Sequence, residues 1–261
     1  MFMEWILFIL IGAFAGTIAG ILGIGGGVFI VPALAFVFTL FHFDADYIMQ
    51  MAISTSLSIM IFTSIANVIS RQKRKDIIWP ICYKTLPSII IGTICGSLIV
   101  NHVSSSNLRL IFGCFLFLLA IQMFFDFKIN RNTSKQIPML LLSIAGFLIG
   151  LKSGLLGLGG GILSVPFFSF YGLSIRKASG ITTVFSLMIA LIGTISLFFL
   201  GYTKTAPIGY IYWPALIIIA PLTIIFVPIG TKLSHHIKEN ILRIGFAVLL
   251  FFLSLKMVLI K

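Results

Sequence analysis

Apolar residues in this chain run in unbroken blocks rather than in alternation with polar ones. Ten blocks can be drawn, at residues 5–22, 27–41, 48–70, 77–100, 107–126, 138–156, 161–172, 178–200, 210–232 and 240–260. Continuous blocks of this kind predict membrane helices, not the alternating strands of a β-barrel. Spanning takes about 20 residues. The third, fourth and fifth blocks of each half reach that length. The second does not. At 1.5 Å per residue, 161–172 covers about 18 Å of a hydrocarbon core about 30 Å thick. The first two blocks of each half therefore predict a hairpin broken at its glycines, with a short second arm that either spans or re-enters.

The breaks carry a repeated sentence. Gly12–Pro32 reads GAFAGTIAGILGIGGGVFIVP, and Gly146–Pro166, 134 residues later, reads GFLIGLKSGLLGLGGGILSVP. At the same offset Trp79-Pro80 matches Trp213-Pro214, Pro87 matches Pro221, Gly96 matches Gly230 and Arg109 matches Arg243. The third blocks align after a slip of seven residues, Thr55 with Thr182. A long period in an apolar chain predicts a duplicated membrane unit, the build of many transporters, with a site between the halves.

Charge orients the blocks. Four loops are basic: Arg71–Asp76, Lys128–Lys135, Arg176–Lys177 and Lys232–Lys238. The loops at 42–47, 101–107 and 201–209 hold a single Lys or Arg, Lys204. The positive-inside rule makes the basic set cytoplasmic and puts both termini on the periplasmic side. Met1–Glu4 has no basic stretch before the first block, so that block reads as a helix rather than a cleaved signal. Five blocks per half invert the second half, and the charged loops switch accordingly while the apolar register is kept. The expected fold is an all-α membrane protein. It is an inverted-topology repeat of two five-segment halves, each a glycine-broken hairpin plus three transmembrane helices. The first repeat is 1–126, a cytoplasmic linker is 127–137, and the second repeat is 138–261.

Composition agrees. The chain is 59% hydrophobic and 9% charged, where a soluble domain carries about 25% charge. The net charge of +12 comes from the short loops, which makes it a topological signal and not a nucleic-acid surface. Cys82, Cys95 and Cys114 are scattered through apolar blocks and form neither a disulfide framework nor a metal cluster.

Candidate chemistry is concentrated at the breaks. Gly12, Gly16 and Gly20, with Gly146, Gly150 and Gly154, have the four-residue spacing that lets helix backbones touch. Gly23, Gly25, Gly26 and Gly27, with Gly157, Gly159, Gly160 and Gly161, are different, because consecutive glycines break a helix. Broken backbone at membrane depth is tolerated when buried in protein or lining a wet cavity. A helix starting there offers N–H donors and the positive end of its dipole to an anion. The alternative is a tight turn at the membrane surface. No Lys-Ser/Thr follows the glycines, which excludes a nucleotide phosphate loop.

The hydroxyls of the third blocks, Ser54, Thr55, Ser56 and Ser58 with Thr182, Thr183 and Ser186, are either anion donors or hydrogen-bonded glue between helices. Lys152 is a substrate candidate or a snorkelling residue; its repeat partner is Ile18. Pro32, Pro87, Pro166 and Pro221 are candidate hinges. No constellation of acids, bases or metal ligands suggests an enzyme, a cofactor or a metal.

The twin GxxxGxxGxGGGxxxVP sentences, the Thr-Ser of the third block and the repeated Trp-Pro resemble the TauE/SafE family of bacterial membrane proteins. The resemblance covers nearly the whole chain. It implies transport of sulfite, sulfoacetate or a related sulfonate across the inner membrane. It carries over to Gly23–Gly27, Pro32, Thr55, Ser56, Gly157–Gly161, Pro166, Thr182 and Thr183, with Thr183 standing where half one has Ser. The reading is a secondary transporter for a small sulfur-containing anion, working by alternating access as one half rocks against the other. Export is the expected direction, and an anion channel with the same lining is the alternative. An inside-negative potential favours anion export by about 2.3 kcal/mol per charge per 100 mV. Import would need a coupled proton or cation. The expected partners are the anion and the lipid bilayer, with no nucleic acid, and the sequence sets no oligomeric state.

Overall fold

The chain's structure is a computed structural model that describes residues 2–22, 26–124, 137–202, 209–234 and 239–259. These residues form ten α-helices and no strand. The first five are α1 (Phe2–Leu22), α2 (Gly27–Leu40), α3 (Ile48–Lys73), α4 (Trp79–His102) and α5 (Ser105–Phe124). The second five are α6 (Met139–Leu156), α7 (Gly161–Phe170), α8 (Ile175–Tyr202), α9 (Trp213–Ser234) and α10 (Glu239–Leu259). Each lies within a few residues of its apolar block.

Among the described residues, α3, α4, α5, α6, α8 and α9 are long and apolar enough to cross a bilayer. The short arms α2 and α7, with 14 and 10 residues, are not. The apolar stretches 4–20 of α1 and 247–258 of α10 fall below that length. Leu140, Phe199 and Ile217 are each about two-thirds exposed or more. Large apolar side chains facing outward from most helices mark a surface meant for lipid, since water would not tolerate so continuous a patch. The protein is a multi-pass helical membrane protein.

The helices α3 and α8 form the centre and pack on each other. Around them, α2 and α9 lie on α3 while α7 and α4 lie on α8. The first arm of each half does not pair chiefly with its own short arm, as a simple hairpin would. Instead α1 packs on α9, and α6 on α4. The glycine rows explain this choice. Gly12 and Gly16 face Leu222 and Thr223 of α9, and Gly150 and Gly154 face Ile89 and Thr93 of α4. A methyl group at Gly150 would collide with the Ile89 carbonyl oxygen. The exchange is mutual, because Gly92 and Gly96 of α4 lie against the Phe147 and Leu151 carbonyls of α6. Without a hydrophobic driving force between helices in lipid, such backbone contact is what fixes a pair. The two sequence halves are therefore interleaved rather than side by side.

The connecting segments sort by charge in space. Asp76, in the basic connection from α3 to α4, lies against Gly180, one turn after Arg176 and Lys177 of α8. Arg71 pairs with Asp76 at 3.6 Å. Residues flanking the three connections that are poor in Lys and Arg meet elsewhere. The Gln50 amide donates to the Val103 carbonyl. The Tyr210 hydroxyl donates to Asn101 at 3.1 Å, and the Tyr47 and Tyr210 rings sit 5.9 Å apart. The linker at 127–137 lies almost wholly outside the described residues, as do Lys204 and the segment 235–238.

Candidate functional site

Two helix breaks touch at the centre of this arrangement. Gly26 takes a left-handed φ of 75° and its carbonyl accepts the Phe29 and Ile30 amides, which starts α2. Gly157 takes φ 66° and ends α6, with its amide on the Ser153 carbonyl. Only glycine adopts such angles without strain. Between the breaks there is almost no room. A Cβ on Gly27 would stand 2.5 Å from the Gly157 carbonyl oxygen and 3.4 Å from the Leu158 Cα. A Cβ on Gly157 would stand 3.1 Å from Ile53 Cα of α3. Gly26, Gly27 and Gly157–Gly161 are all buried. Gly23 and Gly25 lie outside the described residues.

The central helices hold these breaks through hydroxyls. Ser56 of α3 donates to the Gly157 carbonyl at 3.2 Å, joining the two halves. Ser186 of α8 accepts the Gly160 amide at 3.1 Å, and Ser164 of α7 donates back to the Gly160 carbonyl. Thr55 accepts the Tyr212 amide at 2.9 Å. Thr55 lies seven residues into α3, about 10 Å of rise, so the backbone before α9 dips well into the protein. Thr182 and Thr183 donate to the Ser179 and Gly180 carbonyls one turn back on α8. Five buried hydroxyls, Ser54, Ser64, Ser97, Ser153 and Ser169, have no hydrogen-bond partner among the described residues. Ser54 adjoins Ile53, and the Ser153 carbonyl accepts the Gly157 amide, so two of the five border the same break.

Lys152 points elsewhere. Its ammonium is buried and lies 4.7 Å from the centre of the Phe115 ring on α5. Of the described residues, none forms a hydrogen bond with it. The prolines lie inside helices, Pro32 in α2, Pro87 in α4, Pro166 in α7 and Pro221 in α9, where each removes one helical bond. A further interior proline, Pro228, follows in α9.

Sequence reasoning placed the hydroxyls, Ser186 among them, on the central helices but did not single out Ser153. No pattern marks Ser153, whose importance comes from the turn that follows it. Among the described residues no three His, Cys, Asp or Glu side chains gather as a metal site.

Comparison with known proteins gives one consistent answer. The family model described as "Sulfite exporter TauE/SafE" matches residues 8–257. A probable membrane transporter protein of Haemophilus influenzae is 29% identical across 99% of this chain and the whole of its own length. One from Methanocaldococcus jannaschii is 29% identical across 97% of this chain and 95% of its own. Another from Bacillus subtilis is 29% identical over 77% of this chain and 81% of its own. No solved structure matches.

Proposed function

The chain belongs to the TauE/SafE family, and from that premise we propose that it is a secondary transporter of a small sulfur-containing anion. The cargo we assign is sulfite, sulfoacetate or a related sulfonate, carried across the bacterial inner membrane. The observation that carries the reading is the contact between the two glycine breaks. The N-termini of α2 and α7 supply backbone donors and positive dipole ends there. Ser56, Ser186 and the unpartnered Ser54 and Ser153 add neutral donors at the same level. Neutral donors bind an anion without the fixed countercharge that would hold it too tightly. Lys152 adds positive potential from behind α6 rather than a direct contact.

The same contact argues for alternating access over a channel. Gly27 and Gly157 are too close for an anion to pass, so the breaks must part and reclose. The helix pairing supports an inverted repeat. If α1–α5 are exchanged with α6–α10, α1 on α9 becomes α6 on α4, and α2 on α3 becomes α7 on α8. Likewise α3 on α9 becomes α8 on α4, while the pairs α3–α8 and α5–α10 map onto themselves. The switched loop charges supply the inversion, with the basic connections cytoplasmic and both termini periplasmic. Because the halves are interleaved, rigid rocking of 1–126 against 138–261 would tear apart α1 from α9 and α4 from α6. The moving bodies we assign are instead the α1–α9 and α4–α6 pairs, each with a proline-kinked helix, turning about α3 and α8. The membrane potential drives the anion outward.

The test is flux into liposomes by the purified protein. Labelled sulfite is followed with sulfoacetate and thiosulfate as competitors, with and without a pH gradient. Saturable, competed flux with counterflow is expected. Non-saturable flux without counterflow would favour the channel, and no flux from folded protein would sink the cargo assignment.

A further inference from the structure

One cavity combines two cations with apolar walls. About 250 Å³ lies open between α1 and α2 on one side and α5 and α10 on the other. Phe29, Pro32, Phe36 and Leu253 form much of its wall, and Arg109 and Lys256 supply its charge. Both cations stand in terminal turns, Arg109 four residues from the start of α5 and Lys256 three from the end of α10. Phe36 and Lys256 are exposed at the rim. The Lys256 nitrogen lies 3.2 Å from the centre of the Phe36 ring. From Phe36 the wall descends along α2 to Phe29, seven residues or about 10 Å. The cavity thus has charge at headgroup depth and hydrocarbon walls below it.

We infer that this cavity is a site for an anionic phospholipid, its phosphate held by Arg109 and Lys256 and one acyl chain laid along α2. A small soluble anion would gain nothing from the apolar walls. A zwitterionic lipid would bring its own ammonium toward two cations. The lipid would brace α2 at Pro32 and lie against the mobile α1 through Leu7 and Ile11, without depending on the cargo assigned above.

Native mass spectrometry of the full chain tests this. Phosphatidylglycerol and phosphatidylcholine with matched chains are titrated in detergent, with glycerol phosphate as the soluble competitor. At about 1 kcal/mol per basic residue near a membrane surface, Lys256→Gln should weaken phosphatidylglycerol about five-fold, and Arg109→Gln with Lys256→Gln about thirty-fold. Phosphatidylcholine should bind weakly to all forms. Should the double variant fail to fold, as judged by size exclusion, Lys256→Gln alone decides, since its side chain is exposed. Equal retention of the two lipids, or unchanged affinity in folded Lys256→Gln, would overturn the proposal. Displacement by glycerol phosphate would overturn the lipid assignment in favour of a free-anion site.

Discussion

A methyl group at Gly27 would press on the Gly157 carbonyl oxygen at 2.5 Å, a backbone atom that cannot turn aside. Gly27→Ala should therefore destabilise by about 1–3 kcal/mol, the usual cost of overpacking, and should also lose flux. Gly245→Ala is the control, because nothing lies within 4 Å of the added carbon. Equilibrium unfolding in mixed micelles checks both. An unfolding curve for Gly27→Ala that overlays the parent would show that the two breaks do not touch. Lys152 makes the opposite prediction. A charged lysine at the centre of a membrane helix costs about 2.5–3.5 kcal/mol on insertion scales, and this one has only the Phe115 ring for company. Lys152→Met should raise stability while lowering flux. Higher stability with undiminished flux would remove Lys152 from the transport account.

At the scale of the helices, the apolar blocks foretold all ten elements because block length and glycine breaks are local properties. The partner of each helix was harder to read. The four-residue glycine spacing on α1 and α6 announced close packing, and Gly12, Gly16, Gly150 and Gly154 do pack closely. That spacing does not say which helix receives them. The answer depends on the faces of α9 and α4, more than 200 residues from Gly12 and more than 50 from Gly150. The site was legible to the same degree. The glycines and the hydroxyls of α3 and α8 stood out by composition. The use of Ser56 as a bridge and of Thr55 as an acceptor for Tyr212 required the fold. The α1–α9 pair yields its own prediction. The Cβ positions of Gly12 and Leu222 are within 2.9 Å, so Gly12→Cys with Leu222→Cys, in a background lacking Cys82, Cys95 and Cys114, should cross-link on oxidation. If α1 and α9 move as one body, flux should survive the cross-link. Abolished flux that reduction restores would mean that the two helices separate during transport.

The whole molecule is a pair of broken arms held together by two central helices, with unlike charge at its two ends. Cysteines replacing Lys75 and Arg176 should react with an impermeant maleimide only from the cytoplasmic side of oriented vesicles. Cysteines replacing Asp46 and Ser106 should react only from the other side. Labelling of all four from one side would refute the inverted arrangement. The central claim is that the anion binds where the glycine breaks meet. Equilibrium binding of labelled sulfite to the purified protein tests it most directly, comparing the parent with Ser56→Ala plus Ser186→Ala. Each serine contributes one hydrogen bond at the breaks, and a bond to a charged group is worth about 1.5–3 kcal/mol. Saturable binding that weakens at least about ten-fold in the double variant is expected. Undiminished binding by a folded double variant would contradict it.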